Sequence, residues 1–479
     1  MKRLNLIFLI LVFGLLALPM LSMPFFRDQV SAEKREAAPF PSVMKDGALN
    51  SRFAGDLDDF VRDHIGFRNE MVQADTVLTA KLFGESAEDD VILGKNGWLY
   101  YEGTVNDYLN IPTMTERAAN NAAHSLKMLQ DYAAAQGADF VLAVIPNKNS
   151  LYGENMPARF RKAVTEQDGN YEQLMHALLQ EGVNTADVWY ALKNTGRVLY
   201  QKTDTHWTYE GALIGYRSIM QAAGRTDETF RNLEFTLRRD WPADLSAMLP
   251  GLDDGLTEQA YPDYDFTYTR TSHETAVDAV LLTTKQENAS GSAVIYRDSF
   301  GNTMQEYFAE TIGDVLFSRA LPYRADYIRE KNADLVVVEL GERNLRDLAV
   351  RAPVMEAPAV KLSGEAETMP KDALYFEETV GAYRHLYGVI DESLLGESYR
   401  AYLITEKDGV FAAYEAFPVY EESKLGTEGR CDNGWSICLK AGQRDGAKLY
   451  LAVESAGRLF MGELFQETWL LAAGQTGDQ

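Results

Sequence analysis

The chain has 479 residues, 46% of them hydrophobic and 11% aromatic, with a formal net charge of −25. That length allows two domains, and the composition is globular, with no low-complexity tract or internal repeat. The charge argues against nucleic acid and anionic membrane surfaces as partners, because phosphate groups are bound by clustered Lys and Arg; neutral sugars and partner proteins stay open.

The chain opens Met1-Lys-Arg, followed by an uncharged run from Leu4 to Met23. As a helix rising about 1.5 Å per residue, such a run is long enough to span a bilayer. Lys2 and Arg3 on its short flank predict the N-terminus inside and the bulk of the chain outside. A cleaved signal peptide over residues 1–26 is the competing reading. No Ala-x-Ala site follows the run, which favours an uncleaved signal anchor. The expected location is therefore the outer face of the cell membrane, with secretion as the alternative. Residues 27–49 read as a linker.

Residues 50–351 alternate helix and strand. Phe53, Leu57, Phe60, Val61 and Ile65 recur at helical spacing, and Asn96-Gly-Trp-Leu-Tyr-Tyr101 reads as a turn and a strand. A long helix is expected from Thr115 to Gly137, then an apolar strand from Asp139 to Pro146. Next come a helix over 168–181, a short strand over 183–188 and a helix over 209–223. Further strands are expected near 293–296, 314–317 and 334–340, with helices near 302–310 and 326–331. Such alternation predicts an α/β domain around a mostly parallel sheet with right-handed crossovers. The stretch from Asn232 to Gln286 breaks the pattern and reads as an insertion or lid. Residues 352–371 look like a second linker. From 372 to 479, short runs of β-formers alternate with turn signals and predict a β-sandwich. Cys431 and Cys438, the only cysteines, bracket an Asn433-Gly434 turn signal, and the sequence leaves a bridge and two thiols both open.

Chemistry concentrates in two motifs. Asp204-Thr-His206-Trp207 sets a carboxylate two residues from an imidazole, and the chain has only six histidines. About 90 residues later, Asp298-Ser-Phe-Gly301 ends an apolar strand, which puts Ser299 on a strand-to-helix turn. A serine oxygen attacks well only when a neighbouring imidazole takes its proton and a carboxylate holds that imidazole in one tautomer. Asp204, His206 and Ser299 supply those three parts. No His-x-x-x-His, Cys-x-x-Cys or carboxylate cluster accompanies His206 in the sequence, so no metal is expected. Ligand chemistry in α/β sheets gathers beyond the carboxyl ends of the strands, and Pro146-Asn-Lys-Asn149, Asp298-Ser-Phe-Gly301 and Gly341-Glu-Arg-Asn344 all point there. Candidates for binding an oxyanion or the substrate are the backbone N–H of Ser299 or Phe300, together with Asn147, Lys148 and Arg343.

From about Phe60 to Leu348 the chain resembles the SGNH-hydrolase-like domain of the alginate O-acetyltransferase proteins and the related DHHW family. The resemblance is carried by Phe60-Val-Arg-Asp-His-Ile-Gly-Phe-Arg68, Gly94-Lys-Asn-Gly-Trp-Leu-Tyr100, Pro146-Asn-Lys148, Thr203-Asp-Thr-His-Trp207, Arg297-Asp-Ser-Phe-Gly301 and Glu342-Arg-Asn-Leu345. It implies a circularly permuted SGNH-like fold in which Asp204, His206 and Ser299 form the triad. Two departures stand out: Thr205 lies where the DHHW motif has a second His, and Arg297 lies where many SGNH enzymes have Gly. The implied activity is O-acetylation of an exported or cell-surface polysaccharide through an acyl-serine. No cofactor is implied, and a membrane-bound O-acyltransferase is the implied acetyl donor. An acetyl esterase with the same triad, and a non-catalytic sugar-binding or assembly protein, are the alternatives.

Overall fold

The computed structural model describes residues 2–23, 38–45, 47–371, 373–419 and 432–466. A seven-stranded mixed sheet forms the centre of the first domain. In chain order its strands are β1 (Asp139–Ile145), β2 (Thr185–Ala186), β3 (Thr269–Arg270), β4 (Leu281–Lys285), β5 (Ser292–Tyr296), β6 (Asp314–Ser318) and β7 (Leu335–Gly341). They lie side by side as β2-β1-β7-β5-β6-β4-β3. The five from β2 to β6 run parallel, and β4 is antiparallel to both of its neighbours. The α/β reading of the sequence holds.

Alternation along the strands builds two cores. Phe140, Leu142, Val144, Val336 and Val338 face the helices Glu116–Ala135 and Asn170–Glu181. Val141, Ala143, Ile145, Ile295 and Val337 face the helices Tyr209–Ala222 and Gly301–Thr311. A strand buried on both faces reads as a continuous apolar run, which is why β1, β5 and β7 were visible in the sequence. The insertion contains a hairpin, Phe235–Pro242 paired with Leu256–Pro262, and then supplies β3 and β4 to the edge of the sheet. β2 is shorter than expected because Asp187 caps a helix directly after it, its carboxylate accepting from the Tyr190 N–H at 3.1 Å.

The apolar run at the start forms a helix, Lys2–Ser22. Among the described residues no helix is long and apolar enough to cross a membrane. Residues 24–37, where the first linker was expected to begin, lie outside the described residues.

Beyond Arg351 the chain is β-rich, as expected. Nine strands form one continuous sheet. Phe417 and Ser436 exchange backbone hydrogen bonds of 2.9 Å in both directions, which links Gly434–Lys440 to the end of Val410–Ala416 and closes the ladder on itself. Leu386, Leu403, Trp435, Ile437 and Leu451 belong to its core. Turn signals fix where strands end and leave their partners open, so the closure was not legible. Ala359–Val360 and Glu367–Thr368, in the stretch read as a linker, pair into this sheet. Cys431 lies outside the described residues, and with it any bridge to Cys438.

The two domains meet along the helix Glu116–Ala135. The Arg117 Nε donates to the Gly396 carbonyl at 2.9 Å, and the Thr115 hydroxyl donates to Asp432 at 2.8 Å. At the centre of the seam, buried His124 lies 3.2 Å from Glu181 and 2.9 Å from Glu415, while Arg400 donates to Glu181 at 2.6 Å. Burial alone would lower the His124 pKa, but its hydrogen bonds to the two glutamates outweigh that and raise it. The His124 hydrogen bond holds Glu181 down at about 2, against burial and with help from Arg400.

The signs fix a pH window. A raised histidine stabilises the fold below its ordinary 6.5, and the contribution fades as pH rises through the folded value. A depressed glutamate contributes above its ordinary 4.5 and fades as pH falls toward about 2. His124→Gln should therefore cost about 2 kcal/mol at pH 6 and much less at pH 9, as read from the melting transition. An equal loss at both pH values would contradict a charged His124.

Candidate active site

Parallel register brings three loops to one end of the sheet. Gly341 at the end of β7 lies opposite Ile145 at the end of β1, and Tyr296 at the end of β5 lies opposite Val338. The segments starting at Pro146, Arg297 and Glu342 therefore emerge together, as the sequence suggested.

His206 occupies the middle of this site. Its Nε2 lies 2.8 Å from the Ser299 Oγ, and its Nδ1 lies 2.8 Å from the Asp204 Oδ1. The backbone N–H of His206 donates to the same Asp204 oxygen at 2.9 Å, and the Asp244 N–H donates to the other at 2.9 Å. Burial would raise the Asp204 pKa, yet the hydrogen bond and charge of His206 and these two N–H donors hold it below the ordinary carboxylate value. A carboxylate kept ionised against Nδ1 leaves Nε2 to accept the serine proton.

The loop carrying Asp204 and His206 is held from three sides. Lys148 donates to the carbonyls of Gln201, Lys202 and Asp204 at 3.1, 3.0 and 2.6 Å. Its ammonium also lies over the rings of Trp98 and Tyr100, 5.8 and 5.4 Å from their centroids. Burial pulls its pKa down to about 7, with the Asp204 and Asp244 charges opposing. Tyr200 donates to the Pro146 carbonyl at 2.6 Å. Trp207, fully buried, donates to the Phe300 carbonyl at 3.0 Å and to Thr303 at 2.9 Å, which ties the loop to the turn that bears Ser299. A Cβ on Gly215 would approach the Trp207 ring to 2.6 Å, so the helix behind the indole needs glycine there.

Asp298 fixes the turn bearing Ser299. It accepts from the Phe300 N–H at 2.8 Å, the Gly341 N–H at 2.7 Å and the Asn344 amide at 2.6 Å, joining the turn to the end of β7. Arg297 runs beneath the turn, donating to Asn302 at 2.5 Å and to the Val277 carbonyl at 2.7 Å. A Cβ on Gly301 would lie 2.6 Å from the Arg297 Cδ, so glycine opens this helix.

Donor accounting sorts the oxyanion candidates. The Ser299 N–H makes no hydrogen bond within the described residues, so it is open to a ligand. Arg343 lies over the Phe300 ring, and its Nη2 is 3.5 Å from the Ser299 Oγ. Two expectations need correcting. The Phe300 N–H is taken by Asp298, and all three Lys148 donors are spent on carbonyls of the His206 loop. Asn147 is buried, with its amide on Asp107 at 2.9 Å and its backbone N–H on Glu342 at 2.7 Å. Burial, reinforced by the Asp107 charge, pushes Glu342 up to about 8.

Sequence reasoning missed Asp244, Thr205 and Asp298. Asp298 had a local signal, a carboxylate two residues before the N–H it accepts. Asp244 had none, since it arrives from the insertion 40 residues after Asp204 and accepts from the Thr205 N–H at 2.8 Å. Asp204, His206 and Asp244 lie close enough to face one cation. Their carboxylate oxygens already accept backbone N–H and hydroxyl donors, so the cluster is internally satisfied as a hydrogen-bonded chain.

Residues 91–288 match the family model of the SGNH hydrolase-like domain of the acetyltransferase AlgX, a stretch that ends before Ser299. The chain is 27% identical over 192 residues to a probable alginate O-acetylase AlgJ of Pseudomonas syringae pv. tomato, covering 39% of this chain and 46% of the relative. It is 23% identical over 180 residues to the probable alginate O-acetylase AlgJ of Azotobacter vinelandii, covering 37% and 45%. The aligned stretch thus spans under half of either relative. Among solved structures, Bacillus cereus PatB1 overlays with a TM-score of 0.43 at 17% identity, covering 54% of this chain and 97% of that one. The family-model match falls on the domain whose motifs carry the resemblance seen in the sequence.

Lys148→Met should detach the 201–204 carbonyls and displace His206, slowing phosphonate labelling of Ser299 by about 10²-fold. Unchanged labelling of a folded variant would show that the loop holds without the lysine.

Proposed function

We propose that this chain is an O-acetyltransferase that modifies an exported or cell-surface polysaccharide through an acetyl-Ser299 intermediate. The observation that carries this reading is the hydrogen-bonded chain Asp204–His206–Ser299 beside an unpartnered Ser299 N–H. Similarity to the probable alginate O-acetylases AlgJ and to the acetyltransferase AlgX domain supports transfer of an acetyl group to a polysaccharide as the reaction class.

In the first half-reaction the Ser299 Oγ attacks the acetyl carbonyl while His206 Nε2 takes its proton. The tetrahedral oxyanion is stabilised by the Ser299 N–H and the Arg343 guanidinium, each fixed donor contributing about 3 kcal/mol. The imidazolium then protonates the leaving oxygen as the C–O bond breaks. In the second half-reaction a sugar hydroxyl gives its proton to His206 and takes the acetyl group, restoring the serine. Water in place of the sugar would make the same site an acetyl esterase.

The donor in this reading is a membrane-bound O-acyltransferase, and residues 4–23 tether the chain to the outer face of the membrane. Tethering raises the effective concentration of two weakly contacting proteins. Replacing residues 1–26 with a cleavable signal peptide should release folded protein and lower polysaccharide acetylation in cells. Full acetylation by the released form would remove the tether from this account.

The direct test supplies an activated acetyl ester and an oligosaccharide acceptor to the wild type and to Ser299→Ala. The wild type should acetylate the sugar, and the variant should lose about 10³-fold or more with stability within about 1 kcal/mol. Release of acetate alone would assign hydrolysis, and full activity in the variant would remove Ser299 as the nucleophile.

A further inference from the structure

We propose that Asp244, acting through the Thr205 hydroxyl, is a second positioning carboxylate for His206, the Thr205 oxygen sharing the Nδ1–H with Asp204. The proposal rests on the acyl-serine reading above and adds to it a role for the insertion.

A hydroxyl has one proton, and the Thr205 proton is committed. The Oγ1 donates to Asp244 Oδ2. The same Oγ1 lies 3.0 Å from His206 Nδ1, where it has only lone pairs to offer. The Nδ1–H therefore faces two acceptors, Asp204 Oδ1 at 2.8 Å and Thr205 Oγ1 at 3.0 Å. Asp244 Oδ2 itself is 3.6 Å from Nδ1.

Asp244 is rigidly placed. Its Oδ1 accepts from the N–H groups of Thr205 at 2.8 Å and Leu245 at 2.7 Å, and its own N–H holds Asp204 Oδ2 at 2.9 Å. The two carboxylates are thus cross-braced around one imidazole. Burial and then the Asp204 charge raise the Asp244 pKa, whereas that of Asp204 is held down. Their environments separate their roles.

When Ser299 transfers its proton to Nε2, the ring becomes an imidazolium that keeps its Nδ1 proton. Asp204 meets the new charge directly. Asp244 meets it through the polarised hydroxyl, which pins the ring against rotation toward solvent. No bond to Asp244 forms or breaks in the reaction.

The test uses the full chain and a double-mutant cycle on the rate of Ser299 acylation by p-nitrophenyl acetate. Thr205→Val and Asp244→Asn should each slow acylation about tenfold, and the double variant should be no slower than either single one, because the two act as a unit. Thr205→Ser should restore most of the loss. The downfield proton resonance of His206 Nδ1–H should shift in Thr205→Val and return in Thr205→Ser. Additive losses, an unshifted resonance, or a wild-type rate in Thr205→Val would overturn the relay. Should Asp244→Asn fail to fold, the Thr205→Val and Thr205→Ser pair decides alone. Ser299→Ala separates the two readings: if it retains acylation the acyl-serine account fails, and if it is inert while Thr205→Val keeps its rate only the relay fails.

Discussion

The imidazole of His206 has two nitrogens to satisfy, and the fold commits a buried lysine, a buried tryptophan and two carboxylates to holding it in place. Lys148 reaches from the end of β1 to gather three carbonyls of the His206 loop. Trp207 pins the other side of that loop to the start of the helix that follows Ser299. Burying an ammonium is costly unless its donors are met, so this lysine makes the loop's position depend on the strand beneath it. The parallel sheet sets the distance between β1 and β5, and these two anchors carry that distance to the His206–Ser299 contact.

The turn that bears Ser299 follows the same logic. Asp298 gathers an N–H from its own turn, an N–H from β7 and the Asn344 amide. Ser299 is therefore referenced to β7 as well as to β5. Taking the Phe300 N–H for this purpose leaves the Ser299 N–H as the open backbone donor. Arg297 points beneath the helix to Asn302 and Val277, so its guanidinium is spent on that side of the turn.

Much of this was legible in the residues themselves. Wholly apolar strands announced β1, β5 and β7, and the polar residues that follow each of them marked the end of the sheet where chemistry gathers. The pairing of Asp204 with His206 could be read from their spacing, and Ser299 from the strand-to-helix turn. What was hidden has a common physical cause, since it depends on contacts between distant segments. β4, with the sequence Leu-Leu-Thr-Thr-Lys, lies toward the sheet edge and alternates in burial, so it lacked the apolar run of a central strand. Lys148 looked like a substrate ligand because a lysine beside an active-site loop offers the same charge whether it faces substrate or protein. Asp244 entered from an insertion whose sequence carried no mark of the site. The C-terminal strands were visible as runs between turns, while the closure through Phe417 and Ser436 depends on which strands pair.

The account stands on Ser299 carrying the acetyl group between donor and acceptor. The most direct measurement is peptide-resolved mass spectrometry of the full chain, acid-quenched during turnover with an activated acetyl ester and no acceptor. The account expects one acetyl group on the peptide containing Ser299, discharged when an oligosaccharide is added before the quench. An unmodified Ser299 during active turnover, or an acetyl group on another residue that the acceptor discharges at the catalytic rate, would contradict it.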